Sequence, residues 1–106
     1  MIVDEDSRTR EVLSVYLRDI GYEPKTAAGS AQALEMLRTG PRPAVVVYDA
    51  SLQLDGFADE MRSSAGKVLV MTREPAIGLG TIRKPFQLVD FGDKLLRLLR
   101  EPAAAA

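Results

Sequence analysis

Four short apolar runs in this chain each end at, or just before, a residue type that can handle phosphate or a divalent cation. These residues are Asp4, Asp49, Thr72 and Lys84. Carboxylate oxygens suit Mg²⁺, and an aspartate can also act as a nucleophile that becomes an aspartyl phosphate. Positive charge from Mg²⁺ and a lysine, together with a hydrogen bond from a threonine hydroxyl, would stabilise the oxygens of a transferring phosphoryl group. The residue types therefore favour acyl-phosphate chemistry.

Ordinary structural roles remain open for each of these residues. Glu5 and Asp6, which extend the acidic cluster, can lie beside the dipole of a helix N-terminus without binding a ligand. Asp49 can be a turn residue, Thr72 a plain strand residue, and Lys84-Pro85 the end of a strand before a helix. The ordered set favours chemistry over these roles. Crowding of the carboxylates is expected to raise their pKa values unless a cation is present.

The composition excludes several other kinds of chemistry. The 106-residue chain contains no Cys and no His, which excludes disulfides, the usual zinc sites and Cys-His or Ser-His nucleophiles. The net charge is −1 and basic residues are scattered, so neither nucleic acid nor a membrane surface is a predicted partner. No apolar run approaches membrane-spanning length, which favours a cytoplasmic location. The arginines predicted to lie on solvated faces are Arg8, Arg10, Arg18, Arg62, Arg83, Arg97 and Arg100.

Length and periodicity predict one domain over residues 1–102, followed by a frayed tail over 103–106. Helical spacing of apolar residues begins after Ser7, a candidate N-cap, and Gly21 supplies a stop. Gly92 falls inside the last helical pattern, where it costs about 1 kcal/mol relative to Ala. The predicted helices are 7–20, a stretch from Ser30 that is broken at Thr39-Gly40-Pro41, a short third helix over 56–64, and a last helix between Pro85-Phe86 and Glu101-Pro102. The predicted strands are Ile2-Val3, 23–27, 45–48, 68–71 and a short fifth strand before Lys84.

This alternation of strands and helices predicts right-handed crossovers and a parallel sheet with helices on both faces. The carboxyl ends of parallel strands meet at one edge, which is where open α/β sheets place their sites. The four polar strand ends are therefore expected to meet at that edge.

The connection from Thr72 to Lys84 is predicted to be too short for a full helix. About the last four of its residues must form the fifth strand, whereas a parallel crossover with its helix takes at least about 10–12 residues. One Pro and two Gly within residues 74–80 limit any helix there to a turn. The absence of a full helix here is expected to leave part of one face of the sheet without a helix packed on it. The residues expected on that face are Leu69, Met71 and Ile82, with Ile77, Leu79 or a partner over them.

Five segments carry a resemblance to a known family, in order and across nearly the whole chain. They are Val3-Asp4-Glu5-Asp6, Val45 to Asp49, Asp55-Gly56-Phe57, Met71-Thr72 and Lys84-Pro85-Phe86. In these segments the chain resembles the receiver domain of two-component response regulators. The resemblance implies a doubly wound, flavodoxin-like parallel sheet of five strands in the order 2-1-3-4-5, here with the fourth helix absent or reduced to a turn.

The resemblance also implies roles for the site residues. Asp49 would accept the phosphoryl group, Thr72 would be the switch hydroxyl and Lys84 would pair with the phosphate. Mg²⁺ would be held by Asp4, Glu5, Asp49 and the backbone carbonyl of Ser51. The donor would be the phosphohistidine of a sensor histidine kinase or a phosphotransfer protein, and the output would pass to an unidentified downstream protein. Such a phosphoprotein of a phosphorelay is not an enzyme beyond self-phosphotransfer and slow autodephosphorylation.

Four departures from the family pattern lead to a second hypothesis. Glu5 stands where Asp is usual, the loop after Asp49 is shortened and lacks Pro, and Thr81 replaces an aromatic three places before Lys84. The fourth departure is the short connection before Lys84. We therefore consider both a Mg²⁺-dependent phosphoacceptor and a pseudo-receiver, which is an interaction module that phosphorylation does not switch.

Two further points follow from the same residues. A hydrolase of the aspartyl-phosphate type is disfavoured because Ser51, rather than a second acid, stands two residues after Asp49. The family often pairs through the helix that is predicted to be missing, so the oligomeric state stays open.

Overall fold

A computed structural model of the chain describes residues 1–52, 60, 66–76, 78 and 80–101. Its strands are β1 (Ile2–Val3), β2 (Thr26–Ala27), β3 (Val45–Asp49), β4 (Lys67–Thr72) and β5 (Thr81–Arg83). The helices in the described part are α1 (Ser7–Asp19), α2 (Ser30–Thr39) and α3 (Leu88–Arg100). The strands are all parallel and lie in the order β2-β1-β3-β4-β5, which confirms the predicted flavodoxin-like fold. None of these helices is long and apolar enough to cross a membrane.

The first helix begins at a side-chain cap formed by Asp6, one residue earlier than the Ser7 cap expected from the sequence. One Asp6 carboxylate oxygen accepts the backbone N–H of Arg8 at 3.0 Å, and the other accepts the hydroxyl of Thr9 at 3.0 Å. The hydrogen bond from Thr9, followed by that from Arg8, lowers the pKa of Asp6. A carboxylate suits this position because it is charged and satisfies N–H groups left unpaired at a helix start. At the other end, Gly21 has a φ of 99° and ends the helix as predicted.

Each face of the sheet has its own hydrophobic core. Side chains alternate between the two faces along a strand, so successive residues of β3 and β4 enter different cores. The core on the α2 side contains Val3, Ala27, Ala33, Leu37, Val46, Tyr48 and Leu52. The core under α1 and α3 contains Ile2, Leu13, Leu17, Val47, Leu69, Met71, Ile82, Phe91 and Leu95.

The prediction that Leu69, Met71 and Ile82 are under-covered is wrong. These residues are at most 4% exposed, because they face the core that α1 and α3 cover. The half-buried apolar residues of β4 are Val68 and Val70, which pack against the core on the α2 side. Sequence alternation shows which residues share a face, but it does not show which helix covers that face.

The predicted loss of a full helix between β4 and β5 is confirmed for the residues that the structure describes there. Residues 73–76, 78 and 80 contain no helix. Ile77 and Leu79, which the sequence predicts over the sheet, lie outside the described residues. The same holds for the tail over 103–106 and, apart from Glu60, for the predicted helix over 56–64.

Gly92 forms the close contact between α3 and α1. A Cβ built on Gly92 would lie 1.9 Å from the Oη of Tyr16 and 2.8 Å from its Cζ, so a larger residue must displace the ring. That ring also packs edge-on against Phe91, with centroids 6.1 Å apart. The helix-propensity cost of Gly92 is therefore offset by the close packing of the two helices.

We expect Gly92→Ala to lower the free energy of unfolding by about 1–2 kcal/mol, because displacing Tyr16 costs more than the gain in helix propensity. Urea unfolding followed by circular dichroism measures the change. In a Tyr16→Ala background the same substitution should instead stabilise the protein by up to about 1 kcal/mol. Stabilisation by Gly92→Ala in the wild-type background would contradict this account of the contact.

Candidate functional site

Three of the predicted site residues meet at the carboxyl edge of the sheet, where a lysine contacts two aspartates. Asp4 follows β1, Asp49 ends β3 and Lys84 follows β5. The Nζ of Lys84 donates to the Oδ2 of Asp4 at 2.8 Å and to the Oδ2 of Asp49 at 2.5 Å. Because β1 and β3 are neighbours in the sheet, their acidic ends lie side by side, and the long lysine side chain reaches both from beyond β4.

The second oxygen of each carboxylate is held by a backbone N–H of its own loop. The Oδ1 of Asp4 accepts from the N–H of Asp6 at 2.9 Å, and the Oδ1 of Asp49 accepts from the N–H of Ser51 at 2.8 Å. Asp4 is only 3% exposed, and a buried carboxylate is costly unless it is paired and hydrogen-bonded. Each of the four carboxylate oxygens has a donor, so both side chains are fixed in orientation.

The ion pairs determine the protonation of the site. Partial burial alone would raise the pKa of Asp49, but hydrogen bonds from Lys84 and from the backbone and hydroxyl of Ser51 lower it to about 2. Burial would likewise lower the pKa of Lys84, but its hydrogen bonds to Asp4 and Asp49 raise it. The rise in carboxylate pKa that crowding is expected to cause in the absence of a cation does not occur at Asp49, because Lys84 supplies a cation. Asp49 is ionised at neutral pH, as a nucleophilic carboxylate must be.

An open cleft of about 400 Å³ borders this cluster. Its lining includes the carboxylates of Asp4, Glu5, Asp6 and Asp49 and the cations Lys84 and Arg73. Negative charges outnumber positive ones by two, which a single divalent cation balances. Within the described residues no three acidic side chains converge as a ready metal site, and Lys84 stands between Asp4 and Asp49. The hard oxygen donors and the charge balance nevertheless fit Mg²⁺, with the exposed Glu5 side chain able to turn toward it.

The remaining predicted site residues differ in their relation to the cleft. Glu5 and Ser51 are exposed and line it. Thr72 ends β4, but its side-chain oxygen accepts the backbone N–H of Glu74 at 3.0 Å, and Thr72 does not belong to the described lining of the cleft. The structure thus brings Asp4, Asp49 and Lys84 into direct contact and leaves Thr72 at the margin.

Two arginines at the site were missed by the sequence prediction. Arg10, expected on a solvated face, is half-buried, and its Nη1 donates to the backbone carbonyls of Asp4 and Glu5 at 2.6 and 3.0 Å. Its burial was detectable from the helical pattern, since Arg10 precedes the buried Leu13 by one turn of α1. Arg73 follows β4 directly and lines the cleft, and no sequence pattern marks it.

Comparison with known sequences gives relatives that extend well beyond this chain. No family model matches the chain. NtrX-like response regulators of Rickettsia bellii and Rickettsia felis are 30% and 31% identical to it, each over 94% of this chain and over 23% and 24% of their own lengths. The chain therefore spans about a quarter of the length of the curated relatives it matches.

Comparison with solved structures agrees with the sequence relatives. The structure of the chemotaxis protein CheY4 from Vibrio cholerae superposes with a TM-score of 0.77 at 27% identity, covering 92% of this chain and 94% of that one. Because the relatives that match along the whole sheet are response regulators and the strand order is the one expected, the chain belongs to the receiver domains of response regulators, in a form shortened between β4 and β5.

Proposed function

We propose that this receiver domain takes a phosphoryl group onto Asp49 in a Mg²⁺-dependent reaction and signals in the cytoplasm through protein contacts. The donor is the phosphohistidine of a sensor histidine kinase or of a phosphotransfer protein. The observation that carries the proposal is the double ion pair of Lys84 with Asp4 and Asp49. An ionised carboxylate, a second acid and a cation suited to phosphate share one cleft, which is what phosphoryl transfer to a carboxylate requires.

In the transfer, a carboxylate oxygen of Asp49 forms a bond to phosphorus while the bond from phosphorus to the donor's imidazole nitrogen breaks. The leaving nitrogen keeps the bonding electron pair and takes a proton from solvent. The ammonium of Lys84 moves from the carboxylate to a phosphoryl oxygen, where it offsets the charge that Asp49 has gained. When bound by Asp4, Glu5, Asp49 and the carbonyl of Ser51, Mg²⁺ supplies further positive charge to the phosphoryl oxygens.

The hydroxyl of Thr72 is suited to a third phosphoryl oxygen. Its oxygen accepts the N–H of Glu74, so the hydroxyl hydrogen is left to donate. We assign Thr72 the role of sensing the phosphoryl group, since a hydrogen bond from it would draw the end of β4 toward the cleft.

Incubation with acetyl phosphate and Mg²⁺ tests the proposal. Intact-protein mass spectrometry should show the addition of one phosphoryl group, and a chelator should prevent it. Hydroxylamine should then remove the group, because it cleaves acyl phosphates and leaves serine phosphoesters intact. An unchanged mass of the wild-type protein under saturating donor and Mg²⁺ would rule the proposal out.

A second candidate function is that of a pseudo-receiver, an interaction module that phosphorylation does not switch. It is favoured by Thr81, which stands in β5 where the family's readout uses an aromatic ring, and by the non-helical conformation of residues 73–76. On this hypothesis, Asp49→Asn leaves signalling in cells intact. Loss of signalling by a folded Asp49→Asn variant would exclude it.

A further inference from the structure

Arg10 holds the backbone of the acidic loop between β1 and α1. Its Nη1 donates to the carbonyl oxygen of Asp4 at 2.6 Å and to that of Glu5 at 3.0 Å. Hydrogen bonds from an ionised donor are shorter and stronger than those between neutral groups, and the bond to the carbonyl of Asp4 is short. Arg10 is half-buried, and among the residues that the structure describes it forms no ion pair with a carboxylate. Its charge is therefore directed at the two carbonyls.

These carbonyls belong to two residues that line the cleft, Asp4 and Glu5. The loop has further anchors, since the N–H of Asp4 donates to the carbonyl of Ala27 at 3.1 Å and the N–H of Asp6 donates to the Oδ1 of Asp4 at 2.9 Å. The second of these bonds holds the Glu5–Asp6 peptide at its N–H, and Arg10 holds the same planar peptide at the carbonyl of Glu5. Arg10 therefore links the two successive carbonyls of the loop, including that of Glu5, whose side chain must turn toward a cation.

We propose that Arg10 is a positioning residue, which sets the backbone of Asp4 and Glu5 so that both side chains can serve a divalent cation in the cleft. The inference rests on the proposed function, because it concerns the Mg²⁺ site of that reaction. Arg10 touches neither the cation nor the phosphoryl group and acts through the loop. Contacts that orient metal ligands in this way typically change metal affinity by about 10–100-fold when they are removed.

The charge of Arg10 and its positioning role act on Mg²⁺ binding in opposite directions. Loss of a positive charge near the cleft reduces repulsion of the incoming cation, so charge alone predicts tighter binding. Loss of the two hydrogen bonds to the carbonyls releases the loop, so positioning predicts weaker binding. The sign of the change in affinity therefore separates the two effects.

The test is isothermal titration calorimetry with Mg²⁺ on Arg10→Ala and on a matched control, Arg8→Ala. Arg8 lies on the same helix, carries the same charge and is exposed. We expect Arg10→Ala to bind Mg²⁺ about 10-fold more weakly than the wild type, and Arg8→Ala to bind it equally or slightly more tightly. Arg10→Lys, which keeps charged N–H donors, should recover part of the affinity. Equal or tighter binding by Arg10→Ala would overturn the proposal.

A second measurement uses the metal-free protein. The N–H of Asp6, which donates to Asp4, should exchange with solvent faster in Arg10→Ala than in Arg8→Ala, while the amides of β3 keep their wild-type rates. Unchanged exchange at Asp6 would also overturn the positioning role. If the wild type binds Mg²⁺ as expected but gains no phosphoryl group, the proposed phosphotransfer is excluded and the proposed role of Arg10 still holds. A wild type that does not bind Mg²⁺ overturns both.

Discussion

An Asp49→Asn variant is expected to gain less than about 1% of the phosphoryl group that acetyl phosphate and Mg²⁺ add to the wild type. An amide is uncharged and a poor nucleophile, whereas the carboxylate of Asp49, with a pKa of about 2, is ionised at neutral pH. The chain has no Cys or His that could accept the group instead. Intact-protein mass spectrometry, under conditions that saturate the wild type, measures the effect.

Asp6→Asn is the matched control for this result. Asp6 also lines the cleft and also loses one negative charge in the variant, but Asn keeps the N-cap of α1. Asp6→Asn should therefore gain the phosphoryl group as the wild type does. The fold of Asp49→Asn should persist, because the amide oxygen can still accept the N–H of Ser51 and Lys84 keeps its contact with Asp4. A mass gain of wild-type size in Asp49→Asn would mean that another residue is the acceptor.

The fold was predicted most closely where the sequence pattern is strong and self-contained. The apolar runs at 45–48 and 68–71 form the centres of β3 and β4, each within one residue of the predicted bounds. The weaker strand predicted over 23–27 is only Thr26–Ala27. An edge strand pairs on one side, so its length depends on its register with β1 and less on its own residues.

The site was predicted where it follows from strand ends and missed where it follows from backbone contacts. The meeting of Asp4, Asp49 and Lys84 was predictable because a parallel sheet brings its carboxyl ends together whatever covers its faces. The helical position of Arg10 indicates burial, but its partners are backbone carbonyls, which every residue carries and which leave no sequence signal. The partner of the Thr72 hydroxyl is likewise a backbone group, set by a turn whose shape the sequence does not specify.

Lys84→Met is expected to lower the free energy of unfolding at neutral pH by about 3 kcal/mol, because two poorly hydrated carboxylates lose their shared cation. The side chains of Asp4 and Asp49 are 4% and 18% exposed, which is too little for water to replace the ammonium group. Met is similar in length and adds no charge, so the change reports mainly the lost ion pairs. Urea unfolding followed by circular dichroism measures it.

Three comparisons distinguish lost charge from lost packing in that variant. Lys25→Met removes an exposed lysine and should change stability by less than about 0.5 kcal/mol. Mg²⁺ should restore part of the stability of Lys84→Met, because a cation bound between the two acids stabilises the folded state by mass action. The double variant Lys84→Met with Asp49→Asn should be more stable than Lys84→Met, since one of the two repelling carboxylates is gone.

The stability difference between the wild type and Lys84→Met should also depend on pH. The folded-state pKa of Asp49 is lowered to about 2, so its ion pair stabilises the wild type fully above the ordinary Asp pKa of about 4 and less as the pH falls toward 2. In Lys84→Met, burial acts on the Asp49 carboxylate without the lysine and raises its pKa, so protonation in acid stabilises that variant. The difference should be largest between about pH 5 and pH 9, where the raised pKa of Lys84 keeps its charge. The stability difference should fall to less than about half of its neutral value by pH 3. Equal differences at neutral and acid pH would mean that Lys84 stabilises the edge of the sheet by packing instead of by charge.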